Sequence, residues 1–318
     1  MIIKDLHIEN YRLFEDFNME GLAQVNLIAG KNNTGKTALL EALRIWASEG
    51  DNTVINHVLQ NRGDFTPGWF ESYEGMINRS FAPKNGNRDV CVMKINKLEL
   101  WVQLLQNNRI GRYYFPRNGK EEYTLNSSYP TDFPNDGCSY IPFPYEIFPL
   151  QYLWEKIVLT PEEDDVLRII KLIDPNIERI HIKDDKSKVL MAESEKPIPV
   201  KNLGDGAIRV LTIAIGLVNA KNRLMLIDEI DLGLHYSVQE QLWDIIFEYA
   251  KKWNIQVFAT THSMDTIKSF FYVSRKEEFN NIGKYFRLQR SRQGKIEAVP
   301  YNEEELEVAL EVNLEPRG

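Results

Sequence analysis

Short unbroken apolar runs alternate along this chain with amphipathic stretches of helical spacing. Val25-Asn26-Leu27-Ile28-Ala29, Leu224-Met225-Leu226-Ile227 and Ile255-Gln256-Val257-Phe258-Ala259-Thr260 read as strands buried on both faces, as in the centre of a parallel sheet. Helices are predicted after them. Leu39, Leu40, Leu43 and Trp46 recur at helical spacing, as do Val210, Leu211, Ile213, Ala214, Leu217 and Val218. Thr160-Pro161-Glu162-Glu163 carries helix-start signals, with Val166, Leu167, Ile170 and Ile173 as the buried face. Asn302 with Glu305 three residues on predicts a capping box and a last helix ending near Val312. Strands are expected near 178–183 and 188–192, a strand-rich segment over roughly 88–125, and part-helical structure over 51–80 with Val54, Ile55, Val58 and Leu59 on one face. Residues 126–150, dense in Pro, Ser, Asn and Asp, read as a connector.

The turns between these elements carry the chemistry. Gly30-Lys31-Asn32-Asn33-Thr34-Gly35-Lys36-Thr37 has the form G-x-x-x-x-G-K-[ST], set between a strand and a helix. Glycines let backbone N–H groups close on phosphate oxygens, and the helix N-terminus adds a positive dipole end. Lys36 is placed for the β- and γ-phosphates of ATP, and the Thr37 hydroxyl for Mg2+. Asp228 and Glu229 close a second strand: the first is a metal-side carboxylate, the second a candidate catalytic base for the attacking water. His262 ends a third strand, where an imidazole can sense the γ-phosphate. Gly204-Asp205-Gly206 feeds a helix N-terminus and forms a second anion-binding turn.

In this order the motifs resemble those of the ABC-class ATPases of the RecF, SMC and overcoming-lysogenization-defect (OLD) group. Ile8-Glu9-Asn10-Tyr11-Arg12-Leu13-Phe14 is similar to the group's opening strand, and the resemblance implies that Arg12 borders the nucleotide. Asp231-Leu232-Gly233-Leu234-His235 is similar to the segment facing a partner subunit. Residues 153–160 and 173–178 resemble the OLD branch. The turn reads Leu-Gly-Asp-Gly where transporters of the class have Leu-Ser-Gly-Gly, and Gln103, Gln106 and Gln151 are all open as the metal-contacting glutamine. The resemblance implies an α/β P-loop NTPase of ABC-ATPase type, a mixed sheet flanked by helices. Residues 1–50 and 150–318 would form the core, and 51–149 an inserted α+β lobe. It also implies ATP hydrolysis with Mg2+ and a homodimer or higher homo-oligomer in which Gly204 to Gly206 complete the opposite subunit's site. With 56 residues after His262, too few for a Toprim nuclease, the resemblance implies a separately encoded effector, a nuclease or toxin, in bacterial antiphage defence. The competing expectation is a RecF-like ATP-dependent DNA-binding protein of recombination and repair. A GTP-using switch lacks an Asn-Lys-x-Asp base-reading segment.

Composition narrows this in three places. A net charge of −8 argues against indiscriminate nucleic-acid binding. Yet residues 76–120 mix bases such as Arg109, Arg112 and Arg117 with Trp101, Tyr113 and Tyr114, which fits either a solvated hairpin face or a phosphate-backbone contact. With no long apolar run, no export signal and two cysteines, a cytoplasmic protein without a membrane span is expected.

Overall fold

The computed structural model describes residues 2–51, 54, 55, 57, 58, 90–95, 98–105, 109–116, 122–124, 137–142, 149–184 and 186–311. The central sheet has the order β15-β14-β3-β13-β12-β8, formed by Ile296–Tyr301, Gly283–Arg290, Val25–Gly30, Gln256–Thr261, Leu224–Ile227 and Cys138–Ile141. All neighbours in it are parallel except β14 and β15. A second sheet is antiparallel: β2 (Phe14–Glu20), β1 (Asp5–Tyr11), β4 (Val90–Ile95), β5 (Leu98–Leu105), β6 (Arg109–Pro116) and β7 (Glu122–Thr124). A third, small sheet joins β9 (Ile177–Lys183), β10 (Lys186–Met191) and β11 (Ile198–Pro199).

Strand periodicity divides the core in two. On one side of the central sheet, Ile28, Phe258, Leu224, Leu226, Phe286 and Leu288 pack with α1 (Lys36–Ala47) and with Ile8, Phe17 and Met19 of the antiparallel sheet. On the other, the alternate residues Leu27, Ala29, Met225, Ile227, Val257 and Ala259 pack against helices. These are α2 (Leu150–Glu155), α3 (Pro161–Ile170), α4 (Asp205–Asn219), α5 (Tyr236–Trp253) and α6 (Met264–Ser274). α1 is thus held between two sheets, which explains why nearly its whole surface is buried. Gln256, the polar interruption in an apolar run, is buried because its amide accepts from Ile3 N and donates to Ile3 O and Ala23 O, tying the chain start to the sheet.

The last helix, α7 (Glu303–Glu311), opens with a reciprocal capping box: Asn302 N donates to Glu305 Oε2 (2.9 Å) and Glu305 N to Asn302 Oδ1 (2.8 Å). The helix start at Thr160 works differently from expectation. Its hydroxyl turns back to Ile157 O, and Glu163 accepts from Leu159 N. Of 51–80, positions 54, 55, 57 and 58 are helical, with Val54, Ile55 and Val58 buried; Leu59 lies outside the described residues.

The connector expected over 126–150 requires correction, because β8 lies in it and forms an edge of the central sheet, parallel to β12. Four residues between Gly137 and Pro142 are too short for a periodic signal, and their place depends on α4: a Cβ on Gly216 would lie 2.8 Å from Ile141 Cδ1. The span 51–149 is accordingly divided. β4 extends the antiparallel sheet by pairing with β1, while β8 belongs with the core strands. The basic side chains expected as a patch in 76–120 lie outside the described residues, except Lys94, which pairs with Glu9 at 3.1 Å.

Trp243 on α5 is 1 % exposed and meets the Phe270 ring edge-on at 5.0 Å, pinning α5 to α6. Trp243→Ala is expected to lower unfolding free energy by about 3–5 kcal/mol, the usual cost of emptying a large aromatic site, read as a lower urea midpoint.

Candidate functional site

β3, β13 and β12 are adjacent and parallel, so the loops after them share one corner. Gly35 caps α1 at φ 94, a left-handed value that glycine adopts without strain. A Cβ there would sit 2.9 Å from Phe14 Cζ, so the turn following β1 lies directly against the glycine loop. That turn brings Arg12 to the site in a left-handed conformation (φ 52). Arg12 Nε lies 2.7 Å from Glu41 Oε2 of α1. Arg12, Asn32, Asn33, Lys36, Thr37, Glu229 and His262 line a cavity of about 460 Å³. A larger cleft of about 800 Å³ lies at the opposite ends of the strands, near Gln24, Tyr285 and Leu306, away from the glycine loop and the paired acids.

Three titratable side chains meet in the smaller cavity. Lys36 Nζ donates to Gly30 O (3.0 Å) and lies 2.8 Å from His262 Nε2, which in turn is 2.8 Å from Glu229 Oε1. Lys36 and Glu229 themselves stand 4.0 Å apart. Burial pushes the Glu229 carboxyl up to about 7, with Asp228 and Asp231 adding to the rise and Lys36 and Arg209 opposing it. Burial also lowers Lys36, against the pull of Glu229, Asp228 and Asp231. His262 is lowered by burial and by Lys36. The lowered imidazole and raised carboxyl agree in direction: burial disfavours the charged form of each.

Backbone and second-layer contacts aim the two acids. Asp228 is 2 % exposed, and its Oδ1 accepts from Thr260 Oγ1 (2.6 Å). The same oxygen of Thr260 accepts from Glu229 N at 2.8 Å, so one hydroxyl on β13 orients both residues. Glu229 sits at φ 50, outside strand geometry, which turns its carboxyl away from the strand path. From below, Arg209 of α4 donates through Nη2 to Asp228 O (2.5 Å) and Glu229 O (2.9 Å). Thr261 Oγ1 donates to Asp231 Oδ1. Arg290 Nη2 donates to Asn33 O (3.1 Å), bracing the glycine loop from β14.

The turn Gly204-Asp205-Gly206 is placed elsewhere. A Cβ on Gly206 would lie 2.7 Å from Gly233 O, so the turn packs on the segment after the paired acids in its own chain, and none of its residues lines the cavity. Gln151 bonds Glu155 on α2 and is likewise not at the cavity; the side chain of Gln103 and all of Gln106 lie outside the described residues. Arg209 and Thr260 were not singled out in the sequence. Both carried a signal: an arginine within a helix otherwise apolar on that face, and a threonine closing a buried strand.

The donors present fit a triphosphate with magnesium. A Cβ on Gly30 would meet Leu288 O at 2.6 Å and Thr34 Oγ1 at 2.7 Å, so the loop path exists only with glycine there. Thr37 and Asp228 are the oxygen donors suited to the ion. Among the described residues no group of three His, Cys, Asp or Glu is placed as an all-protein cage. When bound, magnesium neutralises charge at the β- and γ-phosphates.

Fold and site together define a P-loop ATPase of ABC type. By structure the chain is similar to an SMC head bound to the C-terminal winged-helix domain of ScpA (TM-score 0.58, 13 % identity, covering 98 % of this chain and 100 % of that one). It is also similar to an SMC head with an extended coiled coil, bound to the C-terminal domain of ScpA, from Pyrococcus furiosus (TM-score 0.54, 12 % identity, 99 % of each chain). Two family profiles match in sequence: "AAA ATPase domain" over residues 1–125, and "AAA domain, putative AbiEii toxin, Type IV TA system" over residues 148–268. A curated relative named ATP/GTP phosphatase from Helicobacter pylori is 23 % identical, covering 95 % of this chain and 96 % of that protein. A RecF protein of Bacillus cytotoxicus is 43 % identical over 56 residues, 18 % of this chain and 15 % of that protein. In sequence the chain thus matches AAA ATPase domains over two stretches, and in structure it has the fold of an SMC head. Among the described residues no helix is long and apolar enough to cross a membrane.

Thr260→Val keeps the shape of the side chain and removes the hydroxyl shared by Asp228 and Glu229. ATP turnover is expected to fall about 10–100-fold, the scale for losing a group that orients metal-site residues. Thr260→Ser should stay near wild type. Wild-type turnover in Thr260→Val would remove the orienting role.

Proposed function

We propose that this ATPase dimerises through its nucleotide sites and controls a separate effector protein in bacterial antiphage defence, as an OLD-like subunit. The single observation behind the hydrolytic part is the Lys36–His262–Glu229 cluster beside Thr37 and Asp228 at one corner of the sheet. In this reading Lys36 takes the β- and γ-phosphates, and Thr37 and Asp228 hold magnesium. Glu229 accepts a proton as a water oxygen bonds to the γ-phosphorus, and the bond to the ADP oxygen breaks. His262, hydrogen-bonded to Glu229, sits where it registers the γ-phosphate. Arg12, at the cavity rim, borders the nucleotide.

The dimeric part is supported by the outward placement of Gly204 to Gly206. A turn suited to an anion but absent from its own chain's cavity fits service to another subunit's triphosphate. Leu232 and Tyr236, flanking Gly233 in the same region, are exposed apolar side chains that such contact would cover. The partner part is supported by the profile over residues 148–268, whose description names a toxin of a two-component type IV toxin–antitoxin system. The RecF match supports the second reading, a DNA-binding ATPase of repair.

Lys36→Ala is expected to abolish ATP binding in calorimetry. Glu229→Gln should keep binding while turnover falls by about two to four orders of magnitude, the scale of a lost general base. Sedimentation of Glu229→Gln with ATP should give a dimer or larger species, and a monomer at micromolar concentration under these conditions would refute the shared site. The pH dependence follows from the raised carboxyl. A base works ionised, so wild-type kcat/KM, which reports the free enzyme, should climb with pH through about 7 and flatten above it. A flat profile from pH 6 to 8, roughly a unit either side, would remove Glu229 as the base.

A further inference from the structure

The buried surface of α1 is mostly apolar, supplied by Ala38, Leu39, Leu40, Ala42, Leu43 and Ile45. Glu41 interrupts it. The residue is 4 % exposed and stands one turn along from Thr37, on the same face of the helix. A carboxylate buried so deeply is costly unless it is paired. Two partners come from the turn after β1: Arg12 Nε lies 2.7 Å from Glu41 Oε2, and Tyr11 OH donates to the same oxygen at 3.3 Å. Arg12 Nε and Tyr11 OH are themselves 3.3 Å apart, so the three side chains close a triangle. Arg44, the next buried base on α1, stands over the Tyr140 ring of β8 at 4.9 Å.

The backbone of that turn is strained where the cavity begins. Asn10 and Arg12 both have left-handed φ, 56 and 52, on either side of the fully buried Tyr11. Asparagine visits this region readily, whereas arginine is held there at a cost of about 1–2 kcal/mol. Such strain persists where the surroundings over-determine it, and Tyr11 with Glu41 does so here. Stability alone is a weak reason for the pair, since apolar side chains of similar volume often replace a buried ion pair without loss. What the pair fixes is the path of the Arg12 side chain. Arg12 lines the cavity together with Gly35, Thr37 and Ala38, of the turn whose backbone cradles the α- and β-phosphates in loops of this form. The charges that chiefly act on Glu229 are others: Lys36, Asp228, Asp231 and Arg209.

We infer that Glu41 is a positioning residue for nucleotide binding, which holds the Arg12 guanidinium beside the first turn of α1, where it meets the α- and β-phosphates. The inference rests on the reading above in which the glycine loop binds ATP and Arg12 borders it. Position and charge predict opposite signs for the loss of Glu41. Its carboxylate repels a polyanion, so on Coulomb grounds alone its removal would tighten nucleotide binding. Loss of position weakens binding, because a misplaced guanidinium forfeits its charge-assisted hydrogen bonds to phosphate.

The test measures ATP and ADP binding to the full chain by calorimetry, with steady-state ATPase kinetics alongside. Arg12→Ala should weaken both nucleotides about 10–100-fold, the scale of lost hydrogen bonds from a charged group. Glu41→Ala should weaken both about tenfold, and Glu41→Gln, which keeps the shape and an acceptor, by less. The loss should appear far more in KM than in kcat, as for a contact made alike in ground and transition states. In an Arg12→Ala background, Glu41→Ala should add less than about twofold, since the two residues act as one unit. Arg12→Lys keeps the charge without the fork that reaches Glu41 and a phosphate together, so it should stay weak. Unchanged or tighter binding in Glu41→Ala and Glu41→Gln would overturn the inference. So would an equal loss from Glu41→Ala with and without Arg12, the mark of a merely structural role, or wild-type affinity in Arg12→Lys. If Glu41→Ala does not fold, Glu41→Gln carries the same comparison. Lys36→Ala separates the two levels. ATP binding unchanged in Lys36→Ala would overturn the phosphate-loop reading and this inference together, whereas binding lost there but kept in both Glu41 variants would overturn this inference alone.

Discussion

The site depends on one constraint, the in-register parallel pairing of β3, β13 and β12. Thr261 lies opposite Ala29, and Ala259 opposite Ile227. Hydrogen bonds between these strands bring their carboxyl ends to one level, and three loops distant in sequence then meet within bonding distance. A slip of two residues would displace a loop by about 7 Å, far more than the 2.8 Å that separates His262 from Glu229. A slip of one would turn Phe258 away from α1 and exchange the two faces of the core. The same register therefore specifies the packing and the chemistry.

Within that corner, burial acts on three groups at once. It disfavours the charged forms of Lys36, His262 and Glu229, and the opposite charges nearby only partly offset it. A triphosphate beside Lys36 favours the ammonium and pushes Glu229 further towards its neutral form. In the reading proposed above, ionising Glu229 needs positive charge close by, which an ion at Thr37 and Asp228 would supply. A cluster of this kind couples the protonation of the base to what fills the cavity, because in a dry site each charge alters the others strongly.

What was legible in the sequence was local. The glycine loop, the Asp-Glu pair and the histidine each sit at the end of a strand that its own residues announce, and the capping box at Asn302 closes as its spacing predicts. Residues whose role depends on distant partners were not legible. Thr260 becomes informative only when β13 lies beside β12, and Arg209 only when α4 passes beneath Asp228. β8 was hidden because four residues bounded by Gly and Pro look like a turn, and its strand character comes from the edge of β12 that it completes.

α4 is where these separate features become one device. At its N-terminus it carries the turn Gly204-Asp205-Gly206, which packs against Gly233 in the segment after the acids. One turn further, Arg209 bonds the two backbone carbonyls that set where Asp228 and Glu229 point. Along its length, Gly216 lets it press on β8, which pairs with the strand bearing those acids. A rigid helix fixed at three places to the same strand and its extension cannot shift at one end without loading the others, because packed interiors move as units rather than yielding locally. The outward turn and the carbonyls that set where Asp228 and Glu229 point are thus held by one helix.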